Sequence, residues 1–209
     1  MNIARINTKY GNVKSFQEKS DKIRRACKNC EIMIDINSLK YLKWLKRADF
    51  DYLAVAFTES AEQLKKIRKL ICKKTKLIAK IENKKGLRNI DSIIDEADGV
   101  MVARGDLAKN TPFEKVTLVQ KMIMRKCKVK RKMDIAATEM LFSMTNSKTP
   151  TRAEVSDVTN AVLDSANAVM LSEETAIGKY PVLTIKTMKK IVGVTEKYLF
   201  EEDRYVFKP

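Results

Sequence analysis

The chain has 209 residues, of which 44% are hydrophobic and 33% are charged, as expected for a globular domain with a sizeable core. No apolar run approaches the roughly 20 residues of a membrane span, and an arginine interrupts the N-terminal MNIARIN, so we expect a cytoplasmic protein without a signal peptide. The net charge of +16 comes with no aromatic residues among the lysine clusters, which favours solvated helix faces over a nucleic-acid partner. Histidine is absent, which excludes Ser-His-Asp and Cys-His catalysis.

The predicted elements alternate along the whole chain. The predicted strands, most of them near-continuous apolar runs, are 2–7, 31–36, 52–58, 76–83, 99–104, 133–138 and 168–172. The predicted helices between and after them are 14–28, 38–48, 59–73, 86–97, 113–131, 151–165 and 181–200. This alternation predicts an α/β fold, a TIM-type (β/α)8 barrel, with a barrel domain over 1–200 and a C-terminal tail over 201–209.

The strand count is one short of a closed barrel. Either one strand escapes the pattern, or the barrel is open, or another chain or segment fills the gap. Because proteins rarely leave a strand edge bare, we expect a homo-oligomer that covers it.

The cysteines leave their chemistry open. Cys27 and Cys30 form a CxxC that is either a redox dithiol or, as we expect, two free thiols at a helix end. Cys72 and Cys127 stand alone, so the four ligands of a structural zinc site are not in place.

Polar and charged residues follow the apolar runs, where a barrel carries its active site. They are Arg5, Asn7, Asp35, Thr58, Glu59, Lys80, Glu82, Arg104, Gly105, Asp106, Thr138, Glu139, Ser172 and Glu174. Lys80 and Glu82 share one face of their strand because side chains alternate. The acids suit a hard cation such as Mg2+ or Mn2+, and the lysine suits a phosphate or carboxylate. The alternative is a plain ion pair at the barrel rim.

Several motifs together resemble one enzyme family. KLIAKIEN, GVMVARGDL, AATEML, PTRAEVSDVTNAVLDSANAVMLSEETAIGKYP and MNIARIN are similar to the catalytic barrel of pyruvate kinases. The resemblance runs from residue 1 to about 198 and is strongest over 77–181. It implies a phosphotransferase that converts phosphoenolpyruvate and ADP to pyruvate and ATP.

The resemblance also implies residue roles. Lys80 would stabilise the transferring phosphoryl group and the enolate, and Arg5 would contact the phosphate. Glu82 and Asp106 would bind Mg2+, while Thr138 would contact the substrate carboxylate near the proton-transfer path.

Four further residues receive implied roles. Backbone amides around Gly105 and Asp106 would hold the carboxylate, and Ser172 and Glu174 would lie on a proton relay. Asn7 and Asp35 would bind K+, but Lys9 stands where a potassium-ligating serine is usual. Lys9 either replaces the ion with its own charge or marks the loss of the site.

Departures from the family pattern include a missing lid segment and several point changes at the mouth. After IMIDI only Asn37 and Ser38 precede the next helix, where the family inserts a lid domain. GDLGVEIP becomes GDLAKNTP, LSGET becomes LSEET, and ATQML becomes ATEML, which adds Glu139. Without a lid, water is not excluded and part of the ADP site is missing.

Three functions follow as alternatives. The first is a minimal pyruvate kinase-like enzyme that runs the kinase reaction or only its enolate half. The second is a Mg2+-dependent decarboxylase or aldolase acting on 2-oxo acids. The third is a non-catalytic binding or regulatory protein with the same barrel.

Overall fold

The computed structural model describes the backbone of residues 1–207, and the side chains of residues 1–201 except those of 39 and 42. Seven parallel strands form one sheet in which spatial order follows chain order. They are β1 (Ile3–Asn7), β2 (Glu31–Ile36), β3 (Tyr52–Val55), β4 (Lys76–Ile81), β5 (Gly99–Ala103), β6 (Met133–Ala137) and β7 (Ala168–Met170). The predicted α/β fold of alternating strands and helices is confirmed.

Helices connect successive strands and cover the outside of the sheet. They are α1 (Val13–Ala26), α2 (Leu42–Leu45), α3 (Ala61–Arg68), α4 (Lys84–Arg88), α5 (Ile90–Glu96), α6 (Arg104–Asn110), α7 (Phe113–Val129), α8 (Arg152–Leu163), α9 (Glu173–Ala176) and α10 (Pro181–Phe207). Two 3-10 turns, Leu39–Tyr41 and Phe142–Thr145, complete the connections. None of the helices in the described part of the chain is long and apolar enough to cross a membrane.

The sheet stays open within the described residues. Among the strands of the described chain, β1 pairs only with β2 and β7 pairs only with β6, so these two strands are the edges of the sheet. Of the three explanations for the strand count, the open barrel is the one that this structure matches. What covers the two edges in solution stays a prediction.

Alternation along the strands divides the core into two layers. One layer packs between sheet and helices and includes Ile34, Leu53 and Val100. The other lines the inner face and includes Met33, Ala54, Ile78, Met101 and Ile135. Because successive side chains point to opposite faces, Asp35, two residues after Met33, and Lys80, two residues after Ile78, also point inward.

The elements differ from prediction where polar residues redirect the backbone. The predicted helix 86–97 is two helices, because the chain turns at Asn89, whose side-chain amide donates to the Glu59 carbonyl. α6 begins at Arg104, where a strand end was predicted. α10 continues to Phe207, past the proposed domain boundary at residue 200, which stays a prediction.

The prediction of free thiols at the CxxC is wrong. The structure joins Cys27 and Cys30 in a disulfide, with their Cα atoms 5.4 Å apart, a spacing that suits the bond. Cys27 is the C-cap of α1, and the turn that follows brings the Cys30 amide within 3.2 Å of the Cys27 carbonyl oxygen. The turn therefore closes the pair before β2 begins. Cys72 and Cys127 are free, and only Cys127 is buried.

Candidate active site

The carboxyl ends of β1, β2 and β4 bring four charged side chains together. The Lys80 ammonium lies 3.1 Å from an Asp35 carboxylate oxygen and 3.0 Å from a Glu82 oxygen. All three side chains are buried, with Lys80 only 9% exposed. A buried charge is tolerated when it is paired, and here one ammonium lies between two carboxylates.

Arg5 completes this network from the edge strand. Its guanidinium donates to Asp35 through two nitrogens, each 2.7 Å from the same carboxylate oxygen. The parallel register sets Asn7 beside Asp35 and leaves Arg5 beside Met33, so the arginine reaches along the inner face. Two cations and two carboxylates make the cluster neutral, while Arg5 keeps 19% of its side chain exposed at the rim.

Glu82 is held by the backbone of a neighbouring loop. The Phe57 amide donates to a Glu82 carboxylate oxygen at 2.5 Å. Phe57 has a positive φ of 49°, a conformation uncommon for a bulky residue. The strained loop after β3 therefore aims an amide at the carboxylate that the resemblance assigns to the metal.

A second group surrounds Thr138 at the ends of β5 and β6. Thr138 and Glu139 both have positive φ, at 73° and 54°, so the chain makes a left-handed turn here. Arg104 secures this turn, because its guanidinium donates to the Thr138 carbonyl at 2.7 Å and pairs with Asp157 at 2.6 Å. Arg104 was predicted at this rim, whereas Asp157, inside a helix, gave no sequence signal for its role.

The first turn of α6 follows directly. The Gly105 amide donates to the Thr138 hydroxyl at 2.8 Å, and that hydroxyl donates to the Ala137 carbonyl at 2.5 Å. The structure therefore brings Gly105 and Thr138 together, as the predicted carboxylate site requires. In this state the Gly105 amide is paired with Thr138 rather than free.

Asp106 has a partner that was not predicted. Lys109, one turn later in α6, places its ammonium 2.7 Å from an Asp106 carboxylate oxygen. This hydrogen bond, with the nearby charges of Asp106, Glu139 and Glu82, raises the pKa of Lys109. The ammonium thus stands at the acidic part of the mouth. The change from GDLGVEIP to GDLAKNTP, which introduces Lys109, is the sequence feature that could have indicated this partner.

The residues at the mouth fit Mg2+ by donor type. Glu82 and Asp106 offer hard carboxylate oxygens, and Mg2+ is usually bound by one or two carboxylates together with waters and substrate oxygens. Within the described residues no cluster of three or more metal-ligating side chains forms. Substrate oxygens would therefore have to complete the coordination, and Lys80 and Lys109 would have to share the two carboxylates.

The residues predicted for K+ fit that ion less well. Asp35 is 2% exposed and already accepts from Arg5 and Lys80. The Asn7 side-chain oxygen accepts the Lys9 backbone amide at 2.8 Å. The Lys9 ammonium lies over the Tyr10 ring, so it does not replace the ion at Asp35 in this state. Lys80 and Arg5 supply the positive charge there.

Ser172 and Glu174 form a separate structural contact. Glu174 is fully buried, and its two carboxylate oxygens accept the amides of Leu141 and Ser172, at 3.1 and 2.7 Å. The Ser172 hydroxyl is buried and has no hydrogen-bond partner among the described residues. Glu174 thus ties the loop after β6 to the end of β7, and the proton-relay role of both residues stays a prediction.

Comparison with known proteins agrees with this architecture. A family model described as the barrel domain of pyruvate kinase matches residues 37–185. Pyruvate kinase of Trypanoplasma borreli is 53% identical over 146 residues, which are 70% of this chain and 29% of that protein. Pyruvate kinase of Geobacillus stearothermophilus is 47% identical over 161 residues, 75% of this chain and 27% of that protein.

A more distant relative aligns with more of the chain. Pyruvate kinase of Methanocaldococcus jannaschii is 42% identical over 173 residues, 81% of this chain and 38% of that protein. The chain therefore spans 27–38% of the length of these three relatives.

Proposed function

The chain belongs to the pyruvate kinase family, and from this premise we propose that its barrel mouth acts on phosphoenolpyruvate and pyruvate with Mg2+ or Mn2+. In the full reaction the bond between phosphorus and the enol oxygen breaks, and the phosphoryl group passes to ADP. The enolate that remains takes up a proton at its methylene carbon and becomes pyruvate. The chain covers less than two thirds of its relatives, so this activity is a proposal for the chain itself.

The buried position of Lys80 between Asp35 and Glu82 carries the proposal. An ammonium fixed at the carboxyl edge of a parallel sheet stabilises negative charge that develops on an enol oxygen or a transferring phosphoryl group. The two carboxylates hold it in place before substrate binds. Little reorganisation is then needed when charge develops, which is the usual source of such stabilisation.

The other proposed roles surround this ammonium. Arg5, which is partly exposed at the rim, would bind the substrate phosphate, while Thr138 and the amides of Gly105 and Asp106 would orient the carboxylate. A divalent ion on Glu82 and Asp106 would polarise the substrate oxygens. Binding of the carboxylate at Gly105 would require its amide to exchange the Thr138 hydroxyl for the substrate.

The short connection after β2 should affect the two halves of the reaction differently. Only Asn37 and Ser38 lie between β2 and the 3-10 turn at Leu39–Tyr41, so in the described part of the chain no inserted domain covers the mouth there. Enolate formation needs Lys80, the metal and a proton path, whereas phosphoryl transfer to ADP also benefits from exclusion of water. We expect the enolate half to be the more efficient one.

The test is exchange of the pyruvate methyl hydrogens with deuterium, followed by proton NMR with Mg2+ present. Exchange should be measurable in the wild type and fall at least about a hundredfold in Lys80→Met, the loss typical of one preorganised charge. Lys76→Met is the matched control, because Lys76 lies at the opposite, exposed end of the same strand. Wild-type exchange no faster than buffer, or equal exchange in Lys80→Met, would refute the proposal.

The uncovered mouth also favours a second candidate that needs no nucleotide. Decarboxylation of oxaloacetate passes through the same pyruvate enolate, so the same ammonium and metal would stabilise it. Turnover of oxaloacetate without production of ATP from phosphoenolpyruvate and ADP would support this candidate. A cytoplasmic location and a homo-oligomer stay predictions.

A further inference from the structure

The disulfide between Cys27 and Cys30 lies away from the candidate active site. It joins the C-cap of α1 to the residue before β2, whereas Asp35, which belongs to the charged cluster, is near the opposite end of β2. Because the strands are parallel, their amino ends share one edge of the sheet, and the disulfide lies at that edge. The proposed reaction at the mouth does not involve it.

The turn that carries the disulfide is also held by hydrogen bonds. The Cys27 amide donates to the Ile23 carbonyl at 2.9 Å, and the Cys30 amide donates to the Cys27 carbonyl at 3.2 Å. The Arg24 guanidinium donates to the Cys30 carbonyl at 3.0 Å and pairs with Asp51 at 2.9 Å. The two cysteines are only three positions apart, and a disulfide stabilises least through chain entropy when its loop is short. We therefore expect the fold to survive reduction of this bond.

The two sulfur atoms differ in exposure and in surroundings. Cys27 is half-buried between exposed neighbours, whereas Cys30 is 3% exposed, so an incoming thiolate reaches the Cys27 sulfur first. The Cys30 sulfur lies 3.3 Å from the Met1 carbonyl oxygen. A disulfide sulfur has no hydrogen to donate, but a Cys30 thiol has one, so this contact becomes a hydrogen bond only in the reduced state. The structure thus holds an acceptor for the reduced form.

We propose that Cys27 and Cys30 form a reversible redox site that exchanges with external thiols. An external thiolate attacks the Cys27 sulfur, the bond between the two cysteines breaks, and Cys30 leaves as a thiolate that takes up a proton. A second external thiolate then attacks the external sulfur of the mixed disulfide, and Cys27 is released and protonated. Two electrons pass to the protein, and the two external thiols become one disulfide.

The position of the pair favours a site that responds to thiols over one that catalyses their exchange. Catalytic thiols lie at helix N-termini, where a thiolate is stabilised, whereas Cys27 lies at the C-terminal end of α1. The exposed Lys28, between the two cysteines, supplies positive charge that favours the departing thiolate. In the cytoplasm, where we expect this chain, a disulfide of this kind is usually transient or redox-sensing.

The test follows reduction of the oxidised, folded chain in a Cys72→Ser background, which removes the exposed free thiol. Glutathione and dithiothreitol are the monothiol and dithiol probes. After quenching, thiol labelling and mass spectrometry of the peptides give the reduced fraction, and circular dichroism follows the fold. We expect reduction at least about a hundredfold faster than global unfolding, with an unchanged spectrum and complete reoxidation by oxidised glutathione.

Two single variants identify the sulfur that is attacked. With oxidised glutathione, Cys30→Ser should form a mixed disulfide at Cys27, and Cys27→Ser should react at Cys30 at least about tenfold more slowly because that sulfur is buried. Reduction that occurs only when urea unfolds the chain, or that itself unfolds it, would overturn the redox site and leave the bond a structural role. Equal reactivity of the two variants would overturn Cys27 as the point of attack.

Discussion

The pairing of Asp35 with two cations makes a sharp prediction about stability. Asp35→Asn keeps the shape of the side chain but leaves Lys80 with one carboxylate and Arg5 with none among the contacts described for them. Removing one partner of a buried ion pair costs about 3–5 kcal/mol. Arg5 is 19% exposed and can recover some hydration, so we expect the lower end, about 3 kcal/mol.

The assay is urea unfolding followed by circular dichroism, with thermal unfolding as a second measure. For a chain of this size a loss of about 3 kcal/mol corresponds to a Tm lower by roughly 6–12 °C. The control is Asp91→Asn, because Asp91 forms an ion pair with Lys126 at 2.6 Å but is 62% exposed. Exposed pairs contribute only about 0–1 kcal/mol.

A double-mutant cycle separates the pair from its surroundings. Lys80→Met in the Asp35→Asn background should cost less than it does in the wild type, with a coupling energy of about 1–3 kcal/mol. Two results would contradict a buried ion-pair network: Asp35→Asn no more destabilising than Asp91→Asn, or effects of Asp35→Asn and Lys80→Met that simply add.

Two further predictions concern groups away from the mouth. Burial raises the pKa of the Cys127 thiol to about 12, whereas Cys72 is exposed. A thiol reagent should therefore modify Cys72 alone in the native, non-reduced protein. Mass spectrometry of the labelled peptides would show this, and rapid native labelling at Cys127 would contradict it. Burial acts to raise the pKa of Glu154, but hydrogen bonds from Ser143 and Thr151 together have the larger effect. The pKa of Glu154 in the folded protein is therefore lowered from 4.5. The stability that ionised Glu154 contributes is therefore fully present above pH 4.5 and is lost as the pH falls through its lower pKa in the folded protein. Glu154→Gln should cost about 1–2 kcal/mol at neutral pH and less at about pH 3 in urea unfolding, and a cost that does not change with pH would contradict this.

Structure could be predicted from the sequence where the hydrophobic pattern of a segment matches its position in the folded protein. The strand 31–36 was predicted with the bounds that the structure has, because its apolar run is buried on both faces. Lys80 and Glu82 were recognised together because period-two alternation fixes their common face, and the structure brings both to one cluster.

The remaining features depend on contacts that sequence spacing does not encode. α6 begins at Arg104 without a side-chain cap, and Arg104 is held by Thr138 in the turn after β6 and by Asp157 in α8. The pairing of Asp35 with Arg5 and Lys80 was not predicted, because the resemblance assigns Asp35 to the binding of K+. The Cys27–Cys30 disulfide depends on turn geometry, which a CxxC leaves open.

The strict order of the sheet has a consequence for how the protein opens. Within the described residues each strand hydrogen-bonds only to its neighbours in the chain, so that part of the sheet is a linear array of βα units rather than a closed ring. Units in the middle are supported on two sides, whereas those at each end are supported on one. Amide protection against solvent exchange should therefore be greatest around β3 to β5 and decline outward, with β7, whose residues are all half-buried, opening before the centre does.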